Sequence, residues 1–186
     1  MRDFVTEVVK CKSNMIYIEL GQETLTKINQ FVQQVIRVKE SESHHLIDSG
    51  QEYKRFSTGL MGECAIEKFF GVDFIDWSIG NSNTYNIADL TALGVNVGIK
   101  TVEMGKFPII HKIAHRPELI CIKRNETTII LCGLATIDVL NDSQDDNLIL
   151  SPNLRRRGTK TGFYGFDRLI KVESLDDVIR VVGIDK

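Results

Sequence analysis

The sequence contains few of the residues that support several common kinds of protein. Its 186 residues include four cysteines, three prolines and one tryptophan. No two cysteines form a CxxC pair, so their spacing favours neither a structural zinc site nor a disulfide framework. No run approaches the ~18 apolar residues of a membrane span. The net charge of −2 provides no overall attraction to nucleic acid or membrane, so any polyanion must bind a local patch.

The cysteines and the N-terminal residues predict the cellular environment of the protein. Cys64, Cys121 and Cys132 lie in apolar runs, which predicts buried thiols. Residues 1–14 lack the apolar core and small-residue cleavage site of a signal peptide. We therefore expect a reducing, cytoplasmic environment and no membrane partner.

The composition is that of a soluble globular protein, with 42% hydrophobic and 26% charged residues. Helical and β-type patterns are mixed along the chain, without an internal repeat or a clear linker, so we predict a single α/β domain. The predicted domain spans residues 1–186. It divides into N-terminal strands and helices (1–57), a core (58–140) and a C-terminal extension (141–186).

Hydrophobic periodicity predicts most of the secondary structure. Helices are expected at 23–39 and 58–71, the second capped by Ser57 or Thr58 and ended by Gly71, with a weaker helical pattern at 49–56. The expected strands are 3–10, which is also compatible with a helix, 15–20, 118–124 and 127–140. Residues 106–115 are expected to form a loop or a short edge strand, and 153–162 a basic loop.

Residues 84–103 carry one acid and one lysine within apolar, β-rich runs. Asp89 precedes a glycine turn at Gly94, and Lys100 follows it, which is typical of a β-hairpin. In that hairpin Asp89 sits roughly opposite Gly98, and Lys100 lies two residues further along the same face. A lone charge in a buried strand is costly unless it is paired or binds a metal. The alternative is a simple ion pair on a half-exposed hairpin.

A third charged residue precedes this pair in the chain. Glu63 lies on the helix predicted at 58–71, on a largely apolar face that it shares with Ile66, Glu67 and Phe70. The order is therefore a helix with an acid, a strand with Asp89 and a strand with Lys100.

These residues, in the pieces GLMGE, NIADL and VGIKT, resemble the PD-(D/E)XK or restriction-endonuclease-like nuclease superfamily. The resemblance covers about residues 58–140 and implies a core of helix, central mixed β-sheet and helix. The acid that the pattern places two residues before the lysine is missing, because Gly98 stands there. Some members of the superfamily move this acid to the helix, so Glu63 is the substitute, with Glu67 as second choice.

The resemblance implies a Mg²⁺-dependent hydrolysis of DNA phosphodiester bonds. Asp89, Glu63 and the backbone carbonyl of Ile99 would hold the metal, because Mg²⁺ prefers oxygen ligands and keeps several waters. Lys100 would orient or deprotonate the attacking water and offset phosphate charge. Glu63, Asp89 and Lys100 are thus the candidate catalytic residues.

The short chain has no recognisable DNA-reading module. It is similar in this respect to the small cleavage subunit of heterodimeric type IIS restriction endonucleases, which implies double-stranded DNA and a larger recognition subunit as partners. Two alternatives remain open: a stand-alone homodimeric restriction or repair nuclease, and an inactive restriction-like binding or assembly protein, which Gly98 favours.

Two further clusters are candidates for binding. Arg155, Arg156, Arg157 and Lys160 form the one dense basic run, which is either a contact for the DNA backbone or a solvated loop. His111 and His115 have the spacing of helical zinc ligands, but the prolines on either side disfavour a helix there.

Overall fold

The computed structural model of the chain describes residues 2–41, 49–79 and 89–183. The helices in these ranges are α1 (Phe4–Val9), α2 (Gln22–Ser41), α3 (Ser49–Phe70), α4 (Ile137–Asp142), α5 (Pro152–Arg157) and α6 (Leu175–Val182). The strands are β1 (Ile16–Glu19), β2 (Gly98–Glu103), β3 (Ile109–His111), β4 (Glu118–Lys123), β5 (Thr128–Ala135), β6 (Gln144–Asp145) and β7 (Lys160–Phe163).

The strands form two sheets. The larger is a mixed sheet in the order β1-β5-β4-β2, in which β2 runs parallel to β4 and the other neighbours are antiparallel. The smaller sheet has the order β3-β7-β6 and is antiparallel. The predicted α/β fold, with a central mixed sheet flanked by helices, is therefore confirmed.

Each face of the four-stranded sheet belongs to a different apolar core. Leu119 and Cys121 of β4 pack with α2 and α3, whereas Ile120 and Ile122 pack with α1 and the three-stranded sheet. Alternate residues of a strand point to opposite faces, so a strand covered on both sides must be apolar throughout. This explains the nearly continuous apolar runs of β4 and β5.

Helix α3 begins earlier than predicted. It is continuous over Ser49–Phe70, so Ser57 and Thr58 lie inside it and are buried instead of capping its start. Phe56 packs against the core beneath α2 and α3, and this contact stabilises the helix before residue 57. Gly71 ends the helix as predicted, in the left-handed conformation with φ 68°.

Three other segments differ from the sequence-based expectation. Residues 4–9 form helix α1, the second of the two alternatives, because the Asp3 side chain accepts a hydrogen bond from the Thr6 amide and caps it. Strand β5 ends at Ala135, where Thr136 caps α4. The basic segment predicted as a loop contains α5, capped by Ser151 and followed by Gly158 with φ 67°.

The hairpin predicted around Gly94 is not formed by the described residues. Asp89 and Leu90 lie in a turn, and Thr91–Leu93 form a 3₁₀ helix that ends at Gly94 with φ 76°. Residues 84–88, the start of the predicted first strand, lie outside the described residues. The Leu90 amide nevertheless donates to the Val97 carbonyl at 3.1 Å, so Asp89 still comes beside the start of β2.

The contact between α3 and β2 predicts that alanine substitutions at two glycines of α3 change the stability in opposite directions. A Cβ at Gly62 would lie 1.7 Å from Thr101 Oγ1, whereas a Cβ at Gly59 meets no neighbouring atom of the described residues within 4 Å. We expect Gly62→Ala to lower the free energy of unfolding by about 1–3 kcal/mol through overpacking. The matched Gly59→Ala should raise it by up to about 1 kcal/mol. Chemical denaturation of both variants measures this, and equal effects would contradict the close packing.

Candidate functional site

Asp89 lies at the open edge of β2. The Ile99 amide donates a hydrogen bond to Asp89 Oδ2, whereas the Gly98 amide points the other way and donates to the Pro117 carbonyl at 3.0 Å. The amide and carbonyl of one strand residue point to the same side of the strand. The Ile99 carbonyl therefore faces the same edge as Asp89, so two of the three predicted metal ligands lie side by side.

Lys100 shares its face of the sheet with a glutamate that the sequence did not single out. In the parallel register Gly98 pairs with Glu118, and Lys100 pairs with Ile120. Paired residues point to the same face, so Glu118 and Lys100 lie on one side of the sheet. Glu118 stands beside position 98, where the superfamily pattern expects an acid and this chain has glycine.

Glu118 and Asp89 are both in an environment that disfavours a negative charge. Burial raises the pKa of Glu118, and the negative charge of Asp89 adds to this effect, while Lys100 and Arg116 oppose it. Burial also raises the pKa of Asp89, against the hydrogen bond from Ile99 and the charges of Arg116 and Lys100. Glu118 Oε2 is buried and accepts no hydrogen bond from the described residues. Asp89, Glu118, Lys100 and Arg116 therefore form one electrostatically coupled group.

Arg116 lies against the glycine at position 98. A Cβ built on Gly98 would lie 3.0 Å from the Arg116 Nε atom. A side chain at 98 would therefore compete with the guanidinium for the same space. Position 98, where the superfamily pattern has an acid, is therefore next to an arginine side chain in this chain. The carboxylate near this position is that of Glu118 on the neighbouring strand.

Glu63 lies on the other side of the sheet from Lys100 and interacts with Asp89. Gly62 packs on Thr101, whose side chain points to the face opposite Lys100. Glu63 lines a cavity of about 370 Å³ between α2 and α3, whose apolar walls include Phe31, Val32 and Leu60. Burial raises the pKa of Glu63 to about 8, with further contributions from the charges of Asp89 and Glu67. Glu63 is thus coupled to Asp89 and separated from Lys100 by the sheet.

Glu67, the second choice for the missing acid, has a different role. Its Oε1 atom accepts hydrogen bonds from the backbone amides of Phe74 and Ile75, both at 2.7 Å. The carboxylate therefore holds the loop that follows α3.

The predicted basic cluster is divided by the fold. Arg155 lies in α5 and donates to the Ile149 carbonyl at 2.6 Å, and Arg156 and Arg157 are exposed on the same short helix. Lys160 begins β7, and the charges of Lys100, Glu118 and Arg116 act on it. The DNA-binding role predicted for all four residues stays a prediction, but Lys160 lies on a different element from the three arginines.

Neither His111 nor His115 lies on a helix. His111 ends strand β3, and the two imidazole rings lie with their centroids 5.1 Å apart. His111 Nε2 is 2.6 Å from Lys160 Nζ, so a hydrogen bond joins two residues that are paired across β3 and β7. Sequence reasoning therefore missed Glu118 and Arg116 beside Gly98, and the contact between His111 and Lys160. The one signal in the sequence was a charged pair, Arg116 and Glu118, at the start of an apolar strand.

The oxygen donors present fit the chemistry of Mg²⁺, but they do not form a closed cage. Two half-buried carboxylates that repel each other and a carbonyl at a strand edge are hard ligands, and a cation between them would relieve the repulsion. Within residues 2–41, 49–79 and 89–183, no three Asp, Glu, His or Cys side chains are arranged to hold a metal ion. Mg²⁺ is commonly bound through only one or two carboxylates together with water and substrate phosphate.

Comparison with known proteins gives no relative from which to transfer a function. No protein-family model, curated protein or solved structure matches the chain significantly. Among the helices that the structure describes, none is both long and apolar enough to cross a membrane.

The environment of Glu63 predicts a pH-dependent stability. Between its usual pKa of 4.5 and a folded-state pKa of about 8, the unfolded chain releases a proton that the folded chain retains. The contribution of Glu63 to the free energy of unfolding therefore falls as pH rises through this window, by at most about 1.4 kcal/mol per pH unit. We expect Glu63→Gln to become more stable relative to wild type from pH 5 to pH 8 in metal-free urea denaturation. The same change of stability with pH in Glu63→Gln and wild type would contradict the assignment.

Proposed function

We propose that this chain is a Mg²⁺-dependent deoxyribonuclease of the restriction-endonuclease-like type. The observation that supports it is the meeting of Asp89, Lys100 and Glu118 at the start of β2. Two carboxylates and an amine beside an open strand edge are the groups that phosphodiester hydrolysis requires. The mixed sheet between helices is compatible with this class of nuclease.

The proposed metal ligands are Asp89, Glu118 and the Ile99 carbonyl, with Glu63 coupled to Asp89 from the helix side. A bound divalent cation supplies charge stabilisation for the phosphate and acidifies a bound water. Glu118 takes the place that the sequence assigned to Glu63, because it lies on the Lys100 face of the sheet.

The protein side chains carry the remaining work. Lys100 orients the attacking water, or takes its proton, and offsets negative charge on the scissile phosphate. Arg116 lies over Gly98 and adds positive charge next to both carboxylates. The Ile99 amide holds Asp89 in one orientation. These groups are attached to a sheet with a buried interior, which keeps their relative positions constant.

The narrower proposal is that the chain is a cleavage subunit that depends on a larger partner for site recognition. The net charge of −2 predicts weak binding to DNA by the chain alone. The helices and strands of the described residues surround the two sheets. None of them forms a helix-turn-helix or zinc-finger module that could read a DNA sequence.

A second candidate function is that of an inactive restriction-like binding or assembly protein. Gly98 in place of the expected acid favours it, as does the lack of a closed three-ligand group among the described residues.

Plasmid nicking by the isolated chain distinguishes these two functions. With Mg²⁺ or Mn²⁺ we expect slow nicking with little sequence preference, reduced at least about 100-fold in Asp89→Asn and Lys100→Met because each removes a group of the reaction centre. Glu126→Gln, an exposed surface change, is the control. Activity that survives both substitutions would support the inactive-protein alternative, with nicking due to a contaminant. Strong site-specific cutting by the chain alone would contradict the subunit proposal.

A comparison of Glu118→Gln with Glu63→Gln shows which carboxylate completes the metal site. We expect Glu118→Gln to weaken Mn²⁺ binding in isothermal titration about as much as Asp89→Asn. Each substitution removes one of the two proposed carboxylate ligands, whose mutual repulsion a bound cation relieves. Glu63→Gln, on the other side of the sheet, should retain most of the binding. The reverse result would show that the helix acid replaces the missing residue.

A further inference from the structure

The cavity between α2 and α3 has no role in the proposed reaction centre. Its volume of about 370 Å³ lies within the range of sites for small organic ligands. The apolar part of its wall comes from both helices and from the loop after α3, through Phe31, Val32, Val35, Phe56, Leu60 and Ile75. Such a wall favours the apolar body of an organic molecule. A hydrated metal ion would lose water there without gaining ligands in return.

One carboxyl group lies in this wall without a partner. Glu63 lines the cavity and is largely enclosed by protein, so that burial raises its pKa. Its carboxyl accepts no hydrogen bond and forms no ion pair within the part of the chain that the structure describes. A polar group that is withdrawn from water without a hydrogen-bond partner costs stability. A ligand that brings a donor to Glu63 would remove this cost.

The charges at this end of the cavity are mostly negative. Glu67 lies one turn further along α3 and accepts a hydrogen bond from the amide of Ile75, which is part of the cavity wall. Asp76 also lines the cavity and forms no ion pair with any residue in the described ranges. Arg55, the one cation among the described lining residues, is already paired with Glu52 at 2.6 Å. A positively charged donor is therefore better suited to this cavity than a neutral one.

We propose that the cavity between α2 and α3 binds a small organic cation, an ammonium compound with a compact apolar body, and that Glu63 is its anchor. The ammonium group donates to the Glu63 carboxylate, and the apolar body packs between the two helices. The rings of Phe31 and Phe56 add a weak attraction for the cation. Neither Asp89 nor Glu118 takes part in this site, which is therefore independent of the proposed nuclease function.

The single tryptophan of the chain provides a readout of the cavity. The Trp77 ring meets the ring of Phe31 edge-on, with centroids 5.4 Å apart and an angle of 82° between the planes. Because Phe31 lines the cavity, a ligand that enters it changes the surroundings of the indole. The fluorescence emission of Trp77 therefore reports occupancy without an added label.

The full chain is titrated with cyclohexylmethylamine, which is protonated at neutral pH, and separately with the uncharged cyclohexylmethanol of similar shape. We expect the amine to change the Trp77 emission in a saturable manner. Its apparent Kd should be at least about tenfold below that of the alcohol, because only the amine carries a charged donor. Glu63→Gln should weaken amine binding at least about tenfold and alcohol binding by less than about twofold.

Two further substitutions test where the compounds bind. Gly59 lines the cavity, and a Cβ at this position meets no atom of the described residues within 4 Å. Gly59→Leu should therefore fill the space and abolish the response to both compounds, and Val35→Phe should do the same from the α2 side. Glu126→Gln removes an exposed carboxylate and is the matched control for Glu63→Gln, with wild-type binding expected. Circular dichroism of each variant verifies that it is folded.

Three outcomes would overturn the proposal. The first is the absence of a saturable response of the wild type to the amine, and the second is equal affinity for amine and alcohol, which would show an apolar cavity only. The third is a preference for the amine that survives in Glu63→Gln, or a response that persists in the folded cavity-filling variants. Plasmid nicking is measured separately. A chain that binds the amine without nicking DNA would refute the nuclease proposal alone, and one that nicks DNA without binding the amine would refute the cation site alone.

Discussion

The parallel pairing of β2 with β4 determines where the charges of this protein meet. The register places Gly98 next to Glu118 and Lys100 next to Ile120. A shift of one residue would turn Lys100 into the core beneath α3 and remove Glu118 from its face. β2 lies at the edge of the sheet as described, so its outer side remains available for Asp89. The same pairing thus supports the packing of the core and the position of the polar group.

The candidate site carries a cost in stability that the cores on both sides must offset. Burial raises the pKa values of Glu63, Asp89 and Glu118, which lie on or near a single strand edge. An assembly of mutually repelling, partly desolvated carboxyls is rarely kept for structural reasons, and perturbed pKa values are concentrated at functional sites. The neighbouring cations oppose the repulsion only in part, which leaves the group suited to binding ions.

Sequence patterns predicted elements whose apolar period is strong and whose ends carry local signals. Helix α2, strand β4 and the end of α3 at Gly71 are of this kind. The start of α3 and the nature of α5 were predicted wrongly. The start of α3 depends on packing against the core by residues such as Phe56, and a short capped helix such as α5 has too few apolar residues to show a period.

The sequence by itself determined the two cores, through its apolar pattern, and the nearness of Asp89 to the start of β2, because the turn between them spans only a few residues. The tertiary structure alone decided that Glu118 and Arg116 lie beside Gly98 of β2 and that His111 meets Lys160. These residues lie up to about sixty positions from Lys100 in the chain. Their meeting depends on which strands pair and how two sheets stack, and no local pattern encodes contacts between elements so far apart.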